Sequence, residues 1–544
     1  MSILSNAASW ISGLSIGDIP PRVVDKVRHQ TLNMLAAAMA GTRTSVGSIL
    51  IKALPESGGK AWSLPGGRIY SLEEALLMGC SLTMTLDYDD YLVFGHTGHS
   101  AVIPSLVLGD LEGKSLEETI PAMTAANEIA GRLGAATLLG PRNGQMWSYI
   151  HLAGGAAAAS HILGLDKEKT THALALALYQ PVLPLYPGFM GGESKVLTAA
   201  VPTITGVQAA LLARAGLKGN PLIAEGEGGF LDELSFVPAP FFLEGWGQAW
   251  VSDTLTYKPY PGCAYLDTTL DAWDEIRSDI TSGSNQALDS GEIEDILVEA
   301  SLLTIGMDDL SQAFRGSTPL APVNINFSMA TSLALAILNQ RLTPGCLEPS
   351  YLEENGQEVL ELASRVRLVH DWQATFELLE TLDLTLDLGA VFRNFSIAQL
   401  LVLRRDLKGM LSHSALGWRD MREALRHLPP AFKQGLSKSL RLRLQRSRGA
   451  PGPASFDMGK VKMEDLRLPF PSRLTIRLRG GKEYSARCSI PRGAPGGPTY
   501  LEEIPLKWQR ESASLLGEEG AAKVSRLVLE QDPPLGELLG TLTP

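Results

Sequence analysis

Through the first half of the chain, apolar residues recur every three to four positions, the spacing of one buried stripe on an α-helix. Arg22–Met39 opens after Pro20-Pro21 and carries Val23, Val27, Met34, Leu35 and Ala38 on one face. The same period predicts helices over Leu72–Leu86, Leu116–Leu133, Ala153–Leu163, Lys167–Tyr179 and Leu197–Ala215, with Gly164, Gly216 and Gly219 placed as C-terminal caps. The block Gly154–Ala159 has almost no side-chain volume, so neighbouring helix backbones can approach it closely. It belongs at the centre of a helical domain.

Near residue 265 the pattern changes. Glu292–Ile305 has the β-branched content and partial alternation of a strand, and Ser364–His370 is a second candidate. Arg473–Pro491 alternates on both arms around Gly480-Gly481 and predicts a hairpin. Helices are expected over Asn326–Asn339 and over Leu506–Leu516, the latter entered from Pro505 and stopped by Gly517. The expected fold is mainly α: a large all-helical domain over 1–265, joined by C-terminal helices from 500–544, beside a smaller α+β lid domain over 266–499.

Size agrees with two domains, since 544 residues exceed what one core usually holds. Hydrophobic residues at 45% and charged residues at 19% exclude a disordered chain or a coiled coil. Four scattered cysteines (Cys80, Cys263, Cys346, Cys488) fit no disulfide framework and suit a reducing compartment. The N-terminus lacks the pattern of a signal peptide, and every long apolar run is broken by a polar or charged residue, so a cytoplasmic protein without a membrane role is expected. The net charge of −12 argues against a nucleic-acid partner. It conceals one basic segment: Arg404–Arg448 holds nine Arg and three Lys against three acids, a surplus of nine positive charges on a body at −21. That segment, in an insertion over about 404–463, reads as a solvated basic helical hairpin that can dock on an acidic face of the same protein or its partner, with RNA or an anionic membrane as the alternative contact.

The densest polar cluster runs from Asp87 to Ser100, with three carboxylates, two imidazoles and two phenols. Histidine titrates nearest neutrality and a carboxylate can orient it, so His96 or His99, oriented by Asp87 or Asp90 and aided by Tyr91, is the candidate acid–base set. His-x-x-His with Asp also suits zinc or iron, but no ordered ligand spacing accompanies it, and no metal is expected. A second cluster, Tyr257–Asp267, presents Lys258, Tyr260, Cys263 and Asp267 on a backbone set by two prolines and a glycine. It reads equally as a cleft wall or as a rigid hinge. Lys195, at the entry of a helix, suits a substrate carboxylate, while Trp147 and His151 lie ahead of the small-residue helix. Gly13–Gly17 matches G-x-S-x-G without the strand that a nucleophile elbow requires, and nucleotide-binding glycine motifs are absent, so no cofactor is expected.

Together these segments resemble the MmgE/PrpD family of dehydratases, decarboxylases and epimerases. The resemblance is carried by LDYDDYLVFGHTGHSAVIP, GGAAAASHILGLDKEKTTHALALA, Ser194-Lys195 with GVQAALLARAGLKG, YKPYPGCAYLDT, NFSMATSLALAILNQRLTP and LEEIPLKWQRESASLLG. It implies a helical domain with an α+β lid, a homodimer, no organic cofactor, and chemistry on a small di- or tricarboxylate. A proton would be removed next to a carboxylate while water or carbon dioxide leaves, or a centre would be inverted. Asp87 falls on the family's first motif aspartate, and Lys195 and Lys258 fall on its substrate-binding lysines. Elsewhere the chain departs. Thr97 stands at the loop histidine, with His96 and His99 on either side; Met146 or Trp147 at the histidine before the Ala-rich helix; and Thr198 at the one after the first lysine. Cys263 and Asp267 occupy two positions that are often histidine, and Thr331 that of the catalytic tyrosine. The charge-binding lysines remain while the acid–base set is replaced, which turns attention to His96 and His99.

Overall fold

A computed structural model of the chain describes residues 2–54, 56–64, 67–140, 148–284, 288–314, 320–395 and 456–542. Among the described residues ten α-helices come first: α1 (Ile3–Gly13), α2 (Pro21–Thr42), α3 (Ser45–Ala53), α4 (Leu72–Met84), α5 (Gly98–Leu111), α6 (Leu116–Ala136), α7 (Ile150–Ile162), α8 (Lys167–Leu178), the short α9 (Tyr186–Met190) and α10 (Leu197–Arg214). Their starts follow local chemistry. Ser71 with Glu74 and Ser115 with Glu118 close capping boxes on α4 and α6, and Asp166 caps α8. Helix α7 is the axis of this region. A Cβ on Gly154 would lie 2.5 Å from Ser100 Oγ of α5, and one on Gly155 2.6 Å from Thr203 O of α10. At Gly155 only glycine lets the backbones of α7 and α10 meet so closely, while Gly154 leaves room for the Ser100 side chain.

The span Glu193–Arg214, which contains α10, is the one helix among the described residues long and apolar enough to cross a membrane. Of its apolar window, 61% is buried against the rest of the fold.

Two short antiparallel pairs, β1 (Ala61–Ser63) with β2 (Gly67–Tyr70) and β3 (Asp90–Tyr91) with β4 (Thr256–Tyr257), precede the second region. In that region β5 (Ile293–Ala300) runs parallel to β6 (Val366–His370) and antiparallel to β7 (Ser472–Leu478), which pairs with β8 (Glu483–Cys488), giving a four-stranded sheet ordered β6-β5-β7-β8. Ile293, Ile296, Val298 and Ala300 of β5 turn inward. Its core joins the sheet to the helices Asp267–Ser284 and Met329–Leu338. The larger core gathers the first-half helices, the C-terminal helix Glu503–Glu530 and, although they lie within 266–499, apolar residues of 386–395 and 456–466. The fold is therefore mainly α with a smaller α+β region.

Three boundaries differ from the hydrophobic pattern. Strand β5 stops at Ala300 because Ser301 caps a helix, Leu302–Gln312, so the apolar run to Ile305 changes period inside itself. The helix expected from Asn326 begins at Met329, where the Ser328 side chain caps it. Gly517 does interrupt the C-terminal helix (φ 72°), but helical structure resumes at once and runs to Glu530. The basic segment 404–448 lies outside the described residues.

Candidate active site

Two short strands bring the polar clusters together. β3 (Asp90–Tyr91) pairs antiparallel with β4 (Thr256–Tyr257), so the 87–100 segment lies against 257–267. Lys258 N donates to Asp89 O (3.2 Å) and Gly262 N to Leu86 O (3.1 Å). At Asp87 the chain takes a left-handed turn (φ 51°), which Asp tolerates better than most side chains. Its side chain meets the Lys195 ammonium while its carbonyl accepts from Lys258 Nζ at 3.0 Å.

Asp89 is the hub. Its Oδ2 accepts from His96 Nδ1 (2.8 Å) and His99 Nε2 (3.1 Å), and its Oδ1 from Lys258 Nζ (2.6 Å). Burial alone would raise the Asp89 carboxyl, but Lys258 and the two imidazole donors outweigh it and hold the group well below the usual carboxylate range. An ionised Asp89 only accepts hydrogen bonds, so both ring nitrogens facing it carry hydrogens. Burial holds His96 below its ordinary value despite Asp89, and Lys258 adds to that effect. The neutral ring then presents an unprotonated Nε2 that no hydrogen bond among the described residues engages. A base aimed by a carboxylate is the result.

The surroundings serve this hub. His99 is fully buried, its Nδ1 2.7 Å from Thr83 Oγ1. His151 stands edge-to-face with His99 (centroids 5.8 Å apart), its Nδ1 2.9 Å from Ser100 Oγ; burial and the neighbouring imidazoles hold it well below its ordinary value. The Lys195 ammonium lies over Phe327 (4.5 Å) and Phe189 (5.3 Å). Burial lowers Lys195 even though Asp87 opposes it, whereas Lys258 is raised because Asp89 and Asp87 overcome its burial. His96 at 8% and Lys195 at 4% exposure mark where this buried set comes closest to solvent.

Not every expected residue serves the hub. The histidines are oriented by Asp89, not by Asp87 or Asp90: Asp87, in its left-handed turn, meets Lys195, and the successive side chains of Asp89 and Asp90 point to opposite sides. Asp90 points the other way, its Oδ1 accepting from Gln30 Nε2 (3.2 Å) and Gly98 N (3.1 Å). Burial and then Asp89 push the Asp90 carboxyl up to about 7. Thr97 joins that rear network through Asn127 (2.6 Å). Tyr260 is a strut: its hydroxyl lies 3.0 Å from Asp271 and 2.9 Å from Asp274, and its ring centroid lies 4.8 Å from the Arg341 guanidinium and 5.7 Å from that of Arg492. The Cys263 thiol is buried and pushed up to about 12, so it supplies no thiolate. Asp267 and Tyr91 are buried, Asp267 raised well above the carboxylate range by burial and then Asp271, Tyr91 with its ring 5.8 Å from that of His96. Trp147 lies outside the described residues, and Thr331 supports the cap of its helix through Ser328. Sequence reasoning passed over Asp89 as the orienting acid, Thr83, Phe189, Phe327 and Lys507. Among the described residues, no group of three or more His, Cys, Asp or Glu is arranged to hold a metal ion.

Residues 5–240 match the family model described as the MmgE/PrpD N-terminal domain. Over that stretch the chain is similar to the MmgE/PrpD family, as a divergent relative. It is 29% identical to the human cis-aconitate decarboxylase over 249 residues, an alignment spanning 42% of this chain and 50% of that protein. It is 24% identical to the mouse cis-aconitate decarboxylase over 396 residues (68% and 76%), and 23% identical to that of Aspergillus terreus over 393 residues (67% and 77%).

Proposed function

We propose that the protein is a cofactor-independent lyase acting on a small di- or tricarboxylate, with decarboxylation favoured over dehydration by the names of its relatives. The observation that carries the reading is the Asp89 hub: one buried carboxylate that aims two imidazoles and is neutralised by an ammonium. Lys195 and Lys258 hold substrate carboxylates, and His96 Nε2 exchanges the proton at the carbon beside them. In a decarboxylation the electron pair of the breaking C–C bond is left on that carbon and takes the proton from His96. In a dehydration the neutral His96 removes the proton from carbon, the C–H electron pair forms the double bond, and His96 returns that proton to the departing hydroxide, which leaves as water. A positioned base or acid of this kind contributes roughly 10²–10⁴-fold to rate.

The pairing of each lysine with an aspartate sets a condition. With Lys195–Asp87 and Lys258–Asp89 both formed, the cluster offers a dianion no surplus positive charge unless a proton is taken up. His96 is the group placed to accept it.

The test is turnover of a panel of di- and tricarboxylates followed by NMR, with H96Q and H99Q alongside wild type. Loss of turnover in H96Q supports the assignment, and full activity in both variants overturns it. Tight binding of an acid with no chemical change in the wild type would mark a binding protein instead.

A further inference from the structure

The C-terminal helix Glu503–Glu530 sends one lysine into the floor of the site. Lys507, 1% exposed, donates from Nζ to Tyr88 O (2.5 Å), Asn33 Oδ1 (2.7 Å) and Lys258 O (3.1 Å), and its ammonium lies 3.6 Å from the centroid of the Tyr88 ring. Tyr88 immediately precedes Asp89, and Lys258 is the residue whose ammonium neutralises Asp89. A single side chain therefore holds the backbones on both sides of the hub's shortest ion-pair contact.

We propose that Lys507 is a positioning residue for the hub: by clamping the Tyr88 and Lys258 carbonyls it keeps the Asp89 carboxylate and the Lys258 ammonium in register, and so sets the basicity of His96. The inference rests on the reading of this site as a proton-transfer centre. The chemistry of the clamp is specific, because three acceptors surround Nζ and only an ammonium carries three N–H groups; a neutral amine has two. Burial pushes Lys507 down to about 7. The charged and titratable groups around it are Arg510 and Glu511 on its own helix, Tyr88 and Asp89 on the 87–91 segment, and Lys258 and Asp267 beyond, while α2 contributes the neutral Asn33. Glu511 and Asp89 favour the ammonium, and Arg510 and Lys258 oppose it. Near neutral pH the clamp is poised to lose one of its three anchors.

The sign of the effect on His96 follows from its neighbours, since Asp89 raises its pKa and Lys258 lowers it. Loosening Lys258 leaves Asp89 less neutralised, and His96 becomes more basic. The experiment is NMR titration of ¹³C-labelled histidines in the full chain, with His96 assigned by its disappearance in H96Q. In K507M the His96 midpoint is expected to rise by about 0.5 unit or more. N33A keeps the charge and removes one anchor, and is expected to shift His96 in the same direction by less. It also decides the matter if K507M does not fold. An unmoved His96 in both variants, or a shift in K507M with none in N33A, overturns the clamp. Turnover is read separately: with a substrate in hand, kcat in N33A should fall while KM changes little. A His96 shift in a protein that turns over no acid leaves the clamp standing and removes the lyase reading.

Discussion

Lys258 Nζ lies 2.6 Å from Asp89 Oδ1, with both side chains buried, and the same carboxylate accepts from His96 and His99. Two opposite charges taken out of water are tolerable only while they stay together.

Breaking the pair on one side should therefore cost more than removing it whole. D89N strands a buried ammonium and is expected to lose about 3–5 kcal/mol, while the double variant D89N/K258M recovers part of that loss. Urea denaturation of wild type, both single variants and the double variant measures the coupling. A double variant no more stable than D89N would mean that the pair is not the unit described.

Asp90 gives stability a definite pH slope. Its carboxyl is about 7 in the folded protein against an ordinary value of 3.8. Between those limits the folded state keeps a proton that the unfolded chain has lost, so this group's contribution favours folding less as pH rises from about 4 to 7. D90N imitates the protonated acid at every pH and should flatten the slope, gaining about 1 kcal/mol or more on wild type between pH 5 and pH 8. Chemical denaturation at both pH values checks the sign.

Substitution of two helical glycines by alanine should have opposite effects. A Cβ on Gly98 would sit 2.1 Å from Asp90 Oδ2 and 2.6 Å from Met34 Sδ, whereas one on Gly306 meets nothing within 4 Å. G98A is expected to destabilise by about 1–3 kcal/mol and to disturb the loop carrying His96 and the start of α5 carrying His99. G306A should stabilise by roughly 0.5–1 kcal/mol, because alanine loses less backbone freedom on folding. Thermal melts separate them.

Tyr260 is expected to matter for stability and not for substrate. Y260F removes the hydroxyl shared by Asp271 and Asp274 and should cost about 1–3 kcal/mol, with Arg492 still pairing both carboxylates. The KM for any acid the protein converts should stay at the wild-type value. A raised KM with an unchanged melting temperature would return Tyr260 to the substrate.

If the proposed substrate class holds, binding of a dianionic acid should take up about one proton per site at pH 7–8, since His96 is neutral there. Calorimetry in buffers of different ionisation enthalpy reads this directly. Proton release, or none exchanged, would show that the lysines accept the anion without help from His96.

Much of this was legible along the chain. Helical periodicity, the serine–glutamate capping boxes and the small-residue run of α7 are local signals, and the helices they announce were found within a few residues. The motif segments around Asp87, Lys195 and Lys258 were equally visible, because each is an unusual density of charge beside glycine or proline. Which acid aims the histidines was not visible. Asp87, Asp89 and Asp90 lie within four positions, and the choice depends on a left-handed turn at Asp87 and on the side to which each side chain then points.

The sequence by itself determined the helical class of the larger region, the sheet-bearing texture of the second, and which segments concentrate polar residues, since each depends on neighbours a few residues away. Only the tertiary structure decided that Asp89 is the hub, that Tyr260 and Thr97 are supports, and that Lys507, some 420 positions from Asp89, lies beneath it. The reason is physical: the protonation and orientation of a buried group depend on which charges share its low-dielectric surroundings, and those neighbours come from segments that chain order keeps far apart.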